Sequence, residues 1–160
     1  NLFQDLSERD QQLLGHSLFL GVVTDELIED PVQGDFLVRN VVGMDQGTGG
    51  LAIGEMLKEG QLVQFHLRDA DTSSGDLHAV LSRYAEENRE NDIPGALLFS
   101  CLGRGEYLYG KPNHDTDLFR DKLGKVPIGG FFCNGEIGPV SGTTFLHGYT
   151  SSFGLFRPKF

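Results

Sequence analysis

The apolar residues of this chain arrive in short runs of strand length, each closed by glycine or another turn residue. SLFLGVVT (17–24), FLVRNVVGM (36–44), QLVQFHLRD (61–69) and GALLFSC (95–101) all fit this description. Runs so short, and so rich in valine, leucine and phenylalanine, favour pleated strands over helices, because a packed helix needs apolar residues three and four apart over ten or more positions. The 22 glycines among 160 residues point the same way, since glycine is favoured at tight turns, bulges and places where backbone approaches another group closely. A chain of this length fits one domain around one core.

Helical spacing is confined to three places. Leu2, Leu6, Leu13 and Leu14 share one face, and Ser7 with Glu8 and Asp10 supplies a cap and acidic first turn, which predicts a short N-terminal helix. Thr72 or Ser73 caps a long helix running through Asn91, with Leu77, Val80, Leu81 and Tyr84 as its apolar stripe. A shorter helix over 116–123 follows Pro112 and Asn113. Between the helices, DQGTGG (45–50) joins FLVRNVVGM to LAIGEML as a hairpin. In QLVQFHLRD, Leu62, Gln64, His66 and Arg68 share one face, so that strand has a mixed polar side. The last third, VPIGGFFCNGEIGPVSG followed by TTFLHGYTSSFGLF, reads as a closing antiparallel pair. The expectation is α+β: a mixed, mainly antiparallel sheet with two principal helices and a short N-terminal one.

Charge and cysteine content narrow the function. A net charge of -10 repels phosphate backbones and anionic lipid, so neither nucleic acid nor membrane is an expected partner. No apolar run approaches the ~20 residues of a spanning helix, and the opening NLFQDLSERDQQ has no secretory pattern. Cys101 and Cys133 form no disulfide framework and no four-ligand zinc site, which suits a reducing cytoplasm. Dinucleotide and triphosphate loop motifs are absent, and no cofactor is expected. The chain opens on Asn1 rather than methionine, and the expectation is a domain taken from a longer protein.

Ionisable residues cluster with glycine in FLVRN, QFHLRDA, SCLGRGEYLYGKPNHD, GFFCNGEIGP and FLHG. Arg104, between Gly103 and Gly105, has the forked donor set that captures a carboxylate or phosphate, or pairs with one of the chain's own acids. Glu136, between Gly135 and the apolar Ile137, offers a carboxylate to a ligand amine, or to the backbone of its own turn. Arg39, Arg68, Asn134, His114, Asp115 and His147 complete the candidate ligand-binding set, with His114 and Asp115 equally placed to cap the following helix. Histidines 66, 114 and 147 have no metal-ligand spacing with the cysteines, so no metal is expected. A thiol-dependent hydrolase or transferase needs Cys101 or Cys133 beside a base such as His66 or His147, whereas both cysteines lie in apolar runs.

Taken in order, DFLVRN (35–40), VQFHLRDA (63–70), GALLFSCLGRG, PNHD and GFFCNGEIGPVSGTTFLHGYTSS resemble the signature blocks of the FIST C-terminal domain family, over nearly the whole chain. The resemblance implies one FIST C-terminal domain across 1–160, preceded in its parent chain by a FIST N-terminal domain that serves as partner. It implies a sensory, signal-transducing role with no catalytic residues and with a small ligand, such as an amino acid, as the bound species. Arg104, Arg39 or Arg68 would then hold the carboxylate, and Glu136, Asp69 or Asp115 the ammonium. F-box relatives imply a protein-interaction module as the alternative. Exposed strand edges admit a homodimer.

Overall fold

The computed structural model describes residues 4–25, 27–88, 92–140 and 142–159. The expected helical roles of Leu2 and Asn91 lie outside the described residues. The chain divides into two compact units, Asn1–Asp69 and Ala70–Phe160.

The first unit is a short helix and an antiparallel sheet. Helix α1 (Glu8–Ser17) starts where expected, because the Ser7 hydroxyl accepts the Asp10 N–H at 3.1 Å. Four strands follow: β1 (Leu18–Val23), β2 (Phe36–Met44), β3 (Leu51–Ile53) and β4 (Val63–Leu67), in the order β3-β2-β1-β4. The expected hairpin is there, with Asp45 closing the turn by accepting the N–H of Gly49 and donating its own to Gly50. Strand β1 lies at the centre and carries the buried residues Phe19, Leu20, Val22 and Val23. The polar side of β4 is accommodated by a glycine: a Cβ at Gly21 would collide with the His66 ring, which also packs edge-on against Phe36 at 4.7 Å.

In the second unit, α2 (Ala70–Glu87) leads to β5 (Gly95–Cys101), the four-residue α3 (Glu106–Tyr109), α4 (His114–Leu123) and β6 (Ile128–Cys133). Then come β7 (Glu136–Val140), β8 (Thr143–His147) and β9 (Ser151–Phe156). Leu77 and Leu81 of α2, Ala96 of β5 and Phe119 of α4 make the core, and Phe119, fully buried, stacks on Phe153 at 5.4 Å. Burying a phenylalanine contributes ~1.5–3 kcal/mol, so Phe119, with Leu118 and Leu123 packed beside it, holds α4 to this core.

The closing segments depart from the expected single pair. Each breaks in the middle, at Asn134–Gly135 and at Gly148–Tyr149, where Tyr149 adopts a positive φ of 60°. The inner halves, β7 and β8, pair antiparallel with each other. The outer halves flank β5 in the order β6-β5-β9, β6 parallel and β9 antiparallel. A parallel neighbour requires a crossover, and the α3–α4 segment supplies it. Antiparallel pairing dominates both units and helices accompany the sheets in each, an α+β arrangement.

Candidate functional site

Arg104 lies just beyond β5, on a turn closed by its own N–H to the carbonyl of Cys101. Only 7% of it is exposed. Helix α4 begins two residues earlier than its apolar spacing suggests, after Asn113 in the left-handed conformation, and this puts Asp115 in the first turn. The two side chains form a forked ion pair, Nε to Oδ2 at 2.8 Å and Nη2 to Oδ1 at 3.1 Å. The remaining guanidinium donors go to the Tyr109 hydroxyl at 2.5 Å, the Ser73 hydroxyl at 3.0 Å and the Tyr149 carbonyl at 3.2 Å. Arginine has five N–H groups, and each is engaged. Arg104 therefore acts on its neighbours, fixing Asp115, Tyr109 and the Tyr149 turn in place.

Asp115, 8% exposed, also accepts from the hydroxyls of Ser151 at 2.6 Å and Ser100 at 3.4 Å. Burial by itself would push its carboxyl up, but the bonds from Arg104, Ser151 and His114 and the guanidinium charge hold it at about 2. Burial opposes the charge on Arg104 as well, and Asp115 outweighs it. His114 Nδ1 lies 2.9 Å from Asp115 Oδ1 and Nε2 2.9 Å from the Ser74 hydroxyl. Because the carboxylate can only accept, Nδ1 is the donor to Asp115. The ring stacks on Tyr109 at 3.5 Å. Tyr109, desolvated by that packing, has its hydroxyl pushed up and keeps its proton.

This network forms one wall of a cavity of about 510 Å³. Ser100, Asn113, His114, Asp115 and Thr116 supply its polar side, and Leu98, Ile128, Pro112, Phe131 and Phe132 its apolar side. Gly129 and Gly130 of β6 line this space with backbone alone. Gly130 has no substitute, since a Cβ there would collide with the backbone carbonyl of Leu98. Glu106, exposed, adds a carboxylate to the lining, which contains no lysine or arginine among the described residues. With Asp115 already paired to Arg104, the uncompensated charge facing this space is negative.

Of the candidate residues, His114 and Asp115 reach the cavity and Arg104 stands behind them. Glu136, buried at 7% exposure, accepts from the Thr150 hydroxyl at 2.5 Å and from the Cys133 thiol at 3.1 Å, and does not line the cavity. Asn134 is exposed on the turn before it, and His147 Nε2 lies 3.0 Å from the Gly138 carbonyl across the β7–β8 pair. Arg39 and Arg68 belong to the first unit: Arg39 bridges to Glu55 at 2.9 Å, and Arg68 lies over the Phe19 ring at 5.9 Å. Cys101 is buried. The Cys133 thiol is pushed up, first by its bond to Glu136, so that its sulfur is held protonated rather than primed for attack. Sequence reasoning overlooked Ser73, Ser74, Tyr109 and Ser151, which carry no pattern of their own. It also passed over the Gly-Gly pair inside IGGFF, a recognised sign of close approach in a strand.

The model of the FIST C domain matches residues 2–139. The chain belongs to the FIST C domain family. FIST C domains are of a signalling and sensory type. Among curated proteins the chain is 44% identical over 147 residues to the uncharacterised protein Rv0628c of Mycobacterium tuberculosis, covering 92% of this chain and 38% of the relative. It is 40% identical over 155 residues to Mb0898c of Mycobacterium bovis, covering 97% and 40%. An F-box/LRR-repeat protein of Arabidopsis thaliana is 29% identical over 84% of the chain and 29% of its own length. The chain thus spans about two fifths of the mycobacterial relatives. No helix among the described residues is long and apolar enough to cross a membrane.

Proposed function

We propose that this FIST C domain is a cytoplasmic sensory module whose second unit binds a small ligand, of amino-acid size and chemistry, in the cavity between β6 and the start of α4. The cavity itself carries the reading: a half-apolar space of about 510 Å³ with one wall fixed by a fully bonded ionic network. An apolar side chain would lie against Leu98, Ile128 and Phe132, an ammonium would face Glu106, and a carboxylate would meet the N–H groups that open α4. Arg104 is a positioning residue here, and His114 and Asp115 form the wall. The two free thiols suit a reducing compartment, and a FIST N-terminal domain of the same parent chain is the natural partner for relaying the signal.

Calorimetry with a panel of amino acids, leucine first, tests this reading. Thr116→Phe places a ring in the cavity mouth and should abolish any binding seen with the unaltered chain. Equal binding by the folded variant, or no binding by the folded parent, would refute it. A second reading, recognition of a partner chain, is favoured by the likeness to an F-box protein and by the open edge of β6, which among the described residues of the second unit pairs with β5 alone.

A further inference from the structure

The ladder between β5 and β6 has a fixed phase. Ala96 donates to the carbonyl of Pro127, and Leu102 donates to the carbonyl of Cys133. In a parallel pair, alternate residues of a strand turn both backbone groups toward the same neighbour. With Pro127 and Cys133 facing β5, Gly129 and Phe131 face it too. Ile128, Gly130 and Phe132 must then direct their N–H and C=O groups to the opposite side. Among the described residues of the second unit nothing pairs with that side: β6 ends the sheet, and the backbone bonds outside the ladders include none from 128–132.

The same three residues line the cavity. The open edge and the cavity therefore meet at Gly130, where no side chain separates the unpaired backbone groups from the space beside them. An unpaired edge beside a side-chain-sized hole has the form of a strand-addition site, in which main-chain bonds hold an extended segment and a pocket selects one residue of it. Charge narrows the partner further. Glu106 lines the cavity with no lysine or arginine beside it among the described lining residues, and the chain carries a net charge of -10, so a basic segment is favoured over an acidic one.

We infer that the occupant of the cavity is a residue of an extended peptide, which pairs antiparallel with the free edge of β6 opposite Gly130, inserts an apolar side chain between Leu98 and Ile128, and sets a basic residue two positions away toward Glu106. The two-residue spacing follows from the strand period, which returns every second side chain to the same face. Opposite Gly130 the inserted residue donates its N–H to the Gly130 carbonyl and accepts the Gly130 N–H, whereas the N–H groups of its two neighbours point away from β6. This rests on the cavity being a binding site at all, and it replaces a free amino acid with one carried in a chain.

Titration of the intact chain with the capped pentapeptide Ac-Lys-Thr-Leu-Thr-Lys-NH2, followed by calorimetry, provides the test. N-methylation of the leucine should weaken binding at least tenfold, while N-methylation of either threonine should change it less than about twofold. Replacing both lysines by glutamate should weaken it at least tenfold, and Glu106→Gln should remove most of that preference. Free leucine binding as well as the peptide, with N-methylation at leucine neutral, would overturn strand addition and leave the cavity reading intact. Failure of both the peptide and the amino-acid panel on the folded chain would overturn both. A dimer in sedimentation that leaves β6 closed to the peptide would also overturn the proposal, assigning the edge to a second copy of the chain.

Discussion

Asp115 and Glu136 are two buried carboxylates in one unit, equally hidden from water and held in opposite ways. Asp115 faces a guanidinium and two hydroxyls, and its charge is balanced by Arg104. Glu136 has a hydroxyl and a thiol as donors, and no ion pair joins it to a cation among the described residues. A buried charge without a paired cation is costly, whereas a forked, hydrogen-bonded pair survives burial well enough to serve as a rigid wall. The cavity opens beside the first arrangement and not beside the second. Glycine-flanked charge in a sequence thus marks a special backbone position, and what the charge does there depends on the donors that the fold delivers.

The largest effect should come from removing the cation. Arg104→Met leaves Asp115 buried with its charge unmatched, and urea denaturation should show a loss of about 3–5 kcal/mol or outright failure to fold. Because such a loss could empty the native state, the double variant Arg104→Met with Asp115→Leu is the sharper test, and it should regain a substantial part of the stability. If the double variant is no better than the single one, the ion pair is not what makes the loss.

Acid should act next. The Asp115 carboxyl is held at about 2, below its ordinary 3.8, so its contribution is complete above that ordinary value and is lost as pH falls through about 2. The shift corresponds to ~2 kcal/mol. Stability measured between pH 4.5 and pH 2 should fall more steeply for the parent chain than for Asp115→Asn. Parallel acid limbs would sever the link between this network and acid sensitivity.

Glu136→Gln should do least to the fold. It keeps one oxygen acceptor, for Thr150 or Cys133, and turns an amide N–H2 to the other, and neutral hydrogen bonds of this kind contribute about 1 kcal/mol each. Its clearer signature is chemical. The carboxylate pushes the Cys133 thiol up, so the variant should be alkylated faster at pH 8 than the parent. A cost as large as that of Arg104→Met would erase the contrast between the two sites.

Much of the fold was legible because strand periods and turn residues are local. The Ser7 cap and the DQGTGG hairpin depend on residues close in sequence and stand as read, whereas α2 begins at Ala70, ahead of the expected caps Thr72 and Ser73, and of its expected stripe Leu77 and Leu81 are buried while Val80 is exposed. The closing segments were misjudged for a physical reason. Asn134–Gly135 and Gly148–Tyr149 split two runs that look continuous in hydrophobicity, and only the demand of β5 for neighbours on both sides decides where the halves go. The site was half legible. GRG marked Arg104, and PNHD marked His114 and Asp115, yet the bonding partners Ser73, Tyr109, Tyr149 and Ser151 come from separate stretches of chain and share no motif. Arg39 and Arg68 carried the same residue type as Arg104 but belong to the other unit.

Backbone NMR of the intact chain titrated with leucine locates binding residue by residue without altering the protein. Binding in the cavity predicts shifts concentrated at Gly129, Gly130 and Phe132 of β6 and at Glu106, Asn113 and Thr116 across from them, with Glu136, Arg39 and Arg68 unmoved. Shifts centred on Glu136 or on the two first-unit arginines, or none at saturating leucine, would contradict it.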